Sequence, residues 1–235
     1  MTEDALITDP ATGLGYRQRG TAARRACVVL LHGVGGDELN LAGLGEALAV
    51  DALVVLPRGP LTLGPGQYGW FQVTFAASGP VIEEAQAESS RQLVTRFVEQ
   101  LQALHGISPA KTLIAGFSQG GIISASVGLS APEAVAGFGI LSGRILPELK
   151  PRLASRERLV HLHAFVGHGL QDNKLPPTWA QRSHQWLDEL GVAHELQLHP
   201  GGHAVSAPMQ AGFLAWARKQ LASINIRANR QYSQP

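Results

Sequence analysis

Short unbroken apolar runs alternate along this chain with stretches whose apolar residues recur every three or four positions. ACVVLLHG (26–33) and ALVVLP (52–57) are of the first kind, rich in branched aliphatics and closed by Gly or Pro. A strand buried on both faces reads this way. KTLIAGF (111–117), VAGFGILSG (135–143), LVHLHAFVGHG (159–169) and AHELQLHP (193–200) continue the series. Helical patterns lie between them. Residues 82–104 put Leu93, Val94, Phe97, Val98, Leu101 and Leu104 on one stripe, with charged and amide side chains off it. Asp37 is a cap for an early helix bearing Leu41, Leu44 and Leu48. Further helices are expected over 119–130, over 177–191 with Gly191 as its stop, and from Ser206 and Pro208 onward.

Strands alternating with helices imply a mostly parallel sheet covered on both faces. With no linker or repeat to divide it, residues 1–223 are expected to form one domain, followed by a polar, frayed tail at 224–235. Residues 58–80, rich in Gly, Pro and aromatics, fit neither pattern and read as a long irregular loop of functional interest. Only 144–158 separate the strand ending at Gly143 from the next, too few for a cap domain, so an open site is expected.

Charge removes several function classes. The chain has 19 Lys plus Arg against 18 Asp plus Glu, which gives no reason to expect a nucleic-acid partner. No apolar run reaches the ~18 residues of a membrane span. The start MTEDALITDP lacks the basic and apolar regions of a signal peptide, so a cytoplasmic protein is expected. The single cysteine, Cys27, lies in CVVLL and reads as a small buried side chain.

The chemistry concentrates in LIAGFSQGG (113–121). A strand runs into Ser118 and a helix leaves from Gln119, so Gly116 and Gly120 frame the Ser as G-x-S-x-G in strand–turn–helix context. The glycines make room for a strained turn that lifts the hydroxyl above the sheet edge. Such a Ser needs a base, and the base an orienting acid. Of nine histidines, His161 and His163 read as strand residues. His105, His184 and His194 read as surface residues, and His32 comes early in the chain. His203, in the Gly-rich loop PGGHAVS, is favoured over His199. Asp172 is the one carboxylate in HGLQDNKLPP (168–177) and is taken as the acid. Gln119 offers a backbone N–H for a developing oxyanion, and Val34, in LLHGVGGDE (30–38), is chosen for the second. That loop lacks the spacing of a dinucleotide fingerprint or a P-loop. Leu61, Leu63, Trp70 and Phe71 are the expected acyl-binding residues. The same apolar loop would also suit a homodimer contact.

Taken together, LLHGVGGDE, LPRGP…GWF, GFSQGG, HGLQDNKLP and GGH resemble the phospholipase/carboxylesterase branch of the α/β hydrolases, the group that includes acyl-protein thioesterases. LGPGQYGWF (63–71) is similar to the bacterial small-ester carboxylesterases. The resemblance implies an α/β-hydrolase fold and a serine esterase with no metal or organic cofactor. It carries over Ser118, Asp172 and His203 as a triad, with Val34 and Gln119 as oxyanion donors. The substrate expected is a small-molecule ester. Thioesterase and lysophospholipase activity, acyl transfer to alcohols, and a non-catalytic binding role on the same fold are the alternatives.

Overall fold

The computed structural model describes residues 5–76 and 79–231. Four strands come first: β1 (Ile7–Thr8), β2 (Gly15–Arg19), β3 (Cys27–Leu31) and, after helix α1 (Ala42–Leu48), β4 (Leu53–Pro57). Two short hairpins follow, β5 (Leu61–Gly64) with β6 (Gln67–Gly69) and β7 (Val73–Ala76) with β8 (Gly79–Ile82). Then helices and strands alternate: α2 (Glu84–His105), β9 (Thr112–Phe117), α3 (Gln119–Ser130), β10 (Gly137–Leu141), α4 (Arg156–Leu159), β11 (His163–Gly169), α5 (Thr178–Leu190), β12 (Ala193–His199) and α6 (Ala207–Gln231).

Eight strands form one sheet in the order β1-β2-β4-β3-β9-β10-β11-β12. β1, β2 and β4 pair antiparallel, and every pairing from β4 across to β12 is parallel. This is the mostly parallel sheet of an α/β-hydrolase fold. Successive side chains of a strand point to opposite faces, and the sheet uses that to feed two cores. Val29, Leu31, Ile114 and Val166 pack with Val94, Phe97, Ile123 and Leu187 on the face of α2, α3 and α5. Val28, Leu30, Leu113 and Phe165 pack with Leu44, Leu48, Phe213 and Trp216 on the face of α1 and α6. Helix α3 is buried from Gln119 through Leu129, and its hydroxyls turn inward: Ser124 donates to Gly120 O and Ser126 to Ile122 O, each at 2.8 Å. The 144–158 segment holds a 3₁₀ stretch (Pro147–Arg152) and α4, with no inserted cap domain.

The structure differs from the sequence reading at several edges. The 58–80 stretch is not an irregular loop through its described residues but the two hairpins above. Pro65 and Gly66 make the first turn, with Gly66 at φ 67°, the left-handed position that a Pro-Gly turn requires. Helix α1 starts at Ala42 rather than behind Asp37, because the Asp37 carboxylate accepts from Leu39 N (2.9 Å) in a separate turn. The strand expected over 159–169 begins only at His163; Leu159 closes the single turn α4, and residues 160–162 link it to the strand. Helix α6 continues past 224 to Gln231, and no Gly or Pro interrupts it after Gly212. Among the described residues no helix is long and apolar enough to cross a membrane.

Candidate active site

Ser118 joins β9 to α3 at φ 52°, ψ −115°, a conformation L side chains rarely adopt. Two contacts enforce it. Ser118 N donates to Leu141 O on β10 (2.8 Å), and Ser118 O accepts from Ile122 N (3.1 Å) in the first turn of α3. The flanking glycines are required by close approach. A Cβ on Gly116 would lie 2.7 Å from Leu31 O, and one on Gly120 would collide with that same carbonyl. Strand β3 therefore passes directly under the turn, and only hydrogen fits at both places.

The loops after β11 and β12 bring the other two predicted residues to this point. Leu170 N donates to His199 O (2.8 Å) and Gln171 N to Gly201 O (2.9 Å), which sews the loops together. His203 Nε2 lies 2.9 Å from Ser118 Oγ, and its Nδ1 lies 2.7 Å from Asp172 Oδ2. Asp172 is buried, and its Oδ1 accepts from the N–H groups of Lys174 (3.0 Å) and Leu175 (2.9 Å). With a carboxylate accepting at Nδ1, the imidazole carries its proton there and presents a lone pair at Nε2 to the Ser hydroxyl.

The loop following β3 runs alongside. Gly35 N donates to Tyr68 O (2.8 Å) and Tyr68 N to Gly36 O (2.9 Å), tying it to β6. His32 Nδ1 donates to Gly33 O (2.7 Å), and its Nε2 accepts from Gly59 N (2.8 Å). Burial pushes the His32 pKa down, consistent with a neutral structural imidazole. Glu38 closes the loop by pairing with Arg17 (3.0 Å) and Arg58 (2.8 Å). Val34 and Gln119 both border the cleft at Ser118. As the first residue of α3, Gln119 has a backbone N–H without an intrahelical acceptor.

That cleft encloses about 210 Å³. Phe71, Phe117, Ile122 and Leu175 make its walls apolar, with Val73, Pro80 and Ile82 of the second hairpin on one side. Of the four expected acyl-binding residues, the structure brings only Phe71 to this cleft. Leu63 borders an adjoining depression, shared with Val34 and Phe71. Leu61 borders neither. Trp70 is fully buried and its Nε1 donates to His32 O (2.9 Å). The aromatic character that marked Trp70 as a pocket residue serves to hold the loop carrying Val34.

A sequence profile of the phospholipase/carboxylesterase family matches residues 18–212. The chain belongs to this family. Among its relatives is acyl-protein thioesterase 1 of Emericella nidulans, 25% identical over 71% of this chain and 77% of that one. Carboxylesterase SOBER1 of Arabidopsis thaliana is 26% identical over 70% and 74%. Among solved structures, esterase PE8 superposes with a TM-score of 0.79 at 27% identity, covering 88% of this chain and 99% of that one. A carboxylesterase from Mesorhizobium loti gives 0.77 at 23% identity, covering 91% and 98%, which shows the shared fold. The chain is thus a hydrolase of the α/β-hydrolase superfamily.

Two residues, His168 and Arg144, and the side-chain role of Gln119 escaped the sequence reading. The Gln119 side chain clamps the β6–β7 connection: its Oε1 accepts from Trp70 N (2.7 Å) and its Nε2 donates to Phe71 O (2.6 Å). His168, fully buried, donates from Nε2 to Leu175 O (2.7 Å) and lies 3.3 Å from Asp172 Oδ2. Burial lowers its pKa, against the pull of Leu175 O and Asp172; it braces the Asp172 loop as a neutral ring. Arg144, 5% exposed, borders the cleft. None has a local sequence signal, since each depends on a tertiary neighbour. Metal-ligating side chains converge elsewhere, where His184 and Asp188 of α5 meet His194 of β12 with candidate ligand atoms within 4.8 Å of one another. None of the three borders the cleft. The His194 side chain is 5% exposed, so β12 buries a ring that the sequence assigned to the surface.

Proposed function

We propose that this hydrolase cleaves carboxylic esters of short- to medium-chain acyl or aryl groups through an acyl-enzyme on Ser118. The observation that carries the reading is the continuous path Ser118 Oγ–His203 Nε2 (2.9 Å) and His203 Nδ1–Asp172 Oδ2 (2.7 Å). In this mechanism the Ser118 oxygen attacks the ester carbonyl while His203 Nε2 takes the hydroxyl proton. Asp172 stabilises the imidazolium that forms. The carbonyl oxygen, now negative, is held by the backbone N–H groups of Val34 and Gln119, aided by the N-terminal end of the α3 dipole. Collapse expels the alcohol with the proton from His203 and leaves Ser118 acylated. Water then attacks the acyl carbonyl, gives its proton to His203, and a second collapse releases the acid and restores Ser118.

A cleft of about 210 Å³ is below the ~300 Å³ of pockets that enclose drug-sized ligands, which supports the shorter acyl chains. A thioesterase reading is favoured by the Emericella nidulans relative and uses the same steps, with a thiol leaving. The test is a p-nitrophenyl ester series from acetate to laurate, near neutral pH, with Ser118→Ala alongside. Hydrolysis with an optimum at or below medium length is expected, and the variant should keep less than about a thousandth of the rate. Turnover that survives in the variant would remove Ser118 from the chemistry.

A further inference from the structure

The loop after β10 places a cation where the proposed mechanism does not need one. Ser142 N donates to Gly167 O (2.8 Å) and Ile145 N to Ser183 Oγ (3.1 Å), so the backbone on both sides of Arg144 is fixed. Its guanidinium lies over the Trp179 ring, 4.3 Å from the centroid, and the residue is 5% exposed. Among the described residues this guanidinium has no hydrogen-bond or ion-pair partner, and its Nε is buried with none. Glu148 acts on it only across a distance. The side chain nevertheless borders the cleft at Ser118, and so does Lys174. Among the described residues no carboxylate does: Asp172 lies behind His203 with both oxygens engaged.

Withdrawing a charge from water without pairing it is unfavourable. A stacked, immobilised guanidinium is also well suited to two parallel hydrogen bonds with an oxyanion. We propose that Arg144, with Lys174 on the same cleft, forms an anion subsite, and that the ester cleaved at Ser118 carries a carboxylate or phosphate which this subsite holds. The inference rests on the esterase reading above and narrows it to acidic esters.

The experiment compares the kcat/KM of phenyl hydrogen glutarate with that of phenyl 5-methylhexanoate, its uncharged near-isostere, in the wild type and in Arg144→Gln. The charged-to-neutral ratio should fall on the order of 10- to 100-fold in the variant, with most of the change in KM. An unchanged ratio overturns the subsite. A 4-phosphonobutyrate phenyl ester added to the series separates the two sources, because the preferred anion identifies which group the subsite takes. Should Arg144→Gln fail to fold, wild-type hydrolysis of the neutral ester in the presence of free glutarate decides the matter. Competitive inhibition that uncharged glutaramide does not reproduce supports the subsite, and no inhibition overturns it. Failure to cleave any ester would sink the esterase reading alone, since calorimetric binding of glutarate would still settle the subsite.

Discussion

Glu38 joins three segments of chain, and its removal has a calculable effect. Its Oε1 accepts from Arg17 Nε (3.0 Å) and Arg58 Nη2 (2.8 Å), and its Oε2 from Arg58 Nε (2.8 Å). The Glu38 side chain is 1% exposed, against 21% and 27% for its partners. Burial by itself would push the carboxyl up. Hydrogen bonds from Arg58, from its own backbone N–H and from Arg17 outweigh that and hold it at about 2, against an ordinary 4.5. The difference, 4.5 − 2 = 2.5 units, corresponds to about 3 kcal/mol at 1.36 kcal/mol per unit. Because the folded pKa is depressed, this stability is fully present above the unfolded value of about 4.5. It is lost as pH falls through the interval down to about 2. Glu38→Gln keeps the shape and removes the charge. Urea unfolding followed by tryptophan fluorescence at pH 7, 5, 3.5 and 2.5 should show the variant about 3 kcal/mol less stable at pH 7. The gap should begin to close below roughly pH 5 and be largely gone by pH 2.5. In a thermal scan at pH 7 the loss should appear as roughly 6–12 °C in Tm for a chain of this size. A gap that stays constant with pH, or one under about 0.5 kcal/mol at pH 7, would mean the pair behaves like an ordinary surface salt bridge and would refute the reasoning.

Gly120→Ala drives a methyl into the Leu31 carbonyl, so it should cost ester hydrolysis on the order of 100-fold through displacement of Ser118; circular dichroism on the same sample separates a moved turn from an unfolded chain, and near-normal kcat would contradict the close approach. Gln119→Leu leaves Trp70 N and Phe71 O without their partners, at about 1–3 kcal/mol each. Chemical unfolding should register a loss of that size, and a change within 0.5 kcal/mol would show that the clamp is dispensable. Burial raises the Cys27 thiol to about 12. It should therefore resist DTNB in the native protein and react at the rate of unfolding in denaturant; rapid labelling of the native state would contradict the packing of β3.

What could be read from the chain in advance was whatever depends on neighbours in sequence. The glycines on both sides of Ser118, the apolar strand before it and the helix after it are one local pattern, and it forms as read. The burial of Val28 to Leu31 and the amphipathic stripe around Phe97 are likewise local periodicities. The hairpin turn at Pro65-Gly66 is equally local, yet the surrounding Gly and Pro read as one long irregular loop rather than as punctuation between strands. Trp70 shows a different limit. An aromatic beside a proposed pocket has the same sequence appearance whether it faces the pocket or anchors a loop, and only the His32 carbonyl above its indole decides. Arg144 and His168 mark the furthest reach of tertiary context. An Arg in a loop ordinarily faces solvent, and nothing within ten residues of Arg144 announces the Trp179 ring that covers it.

The turn at Ser118 also divides the molecule into parts that tolerate change and parts that do not. At Gly116 and Gly120 themselves the backbone of β3 leaves no volume for a side chain, so directed evolution gains nothing by sampling those two positions. The second hairpin, β7–β8, contributes cleft wall through Val73, Pro80 and Ile82, yet it lies outside the eight-stranded sheet. Libraries confined to Val73 and Pro80 would vary the shape of the cleft wall without touching the hydrogen-bonded path from Asp172 to Ser118, whereas Ile82 packs against the core under α2, α3 and α5. This stretch of cleft wall and the turn that carries Ser118 are separate pieces of chain, open to change one without the other.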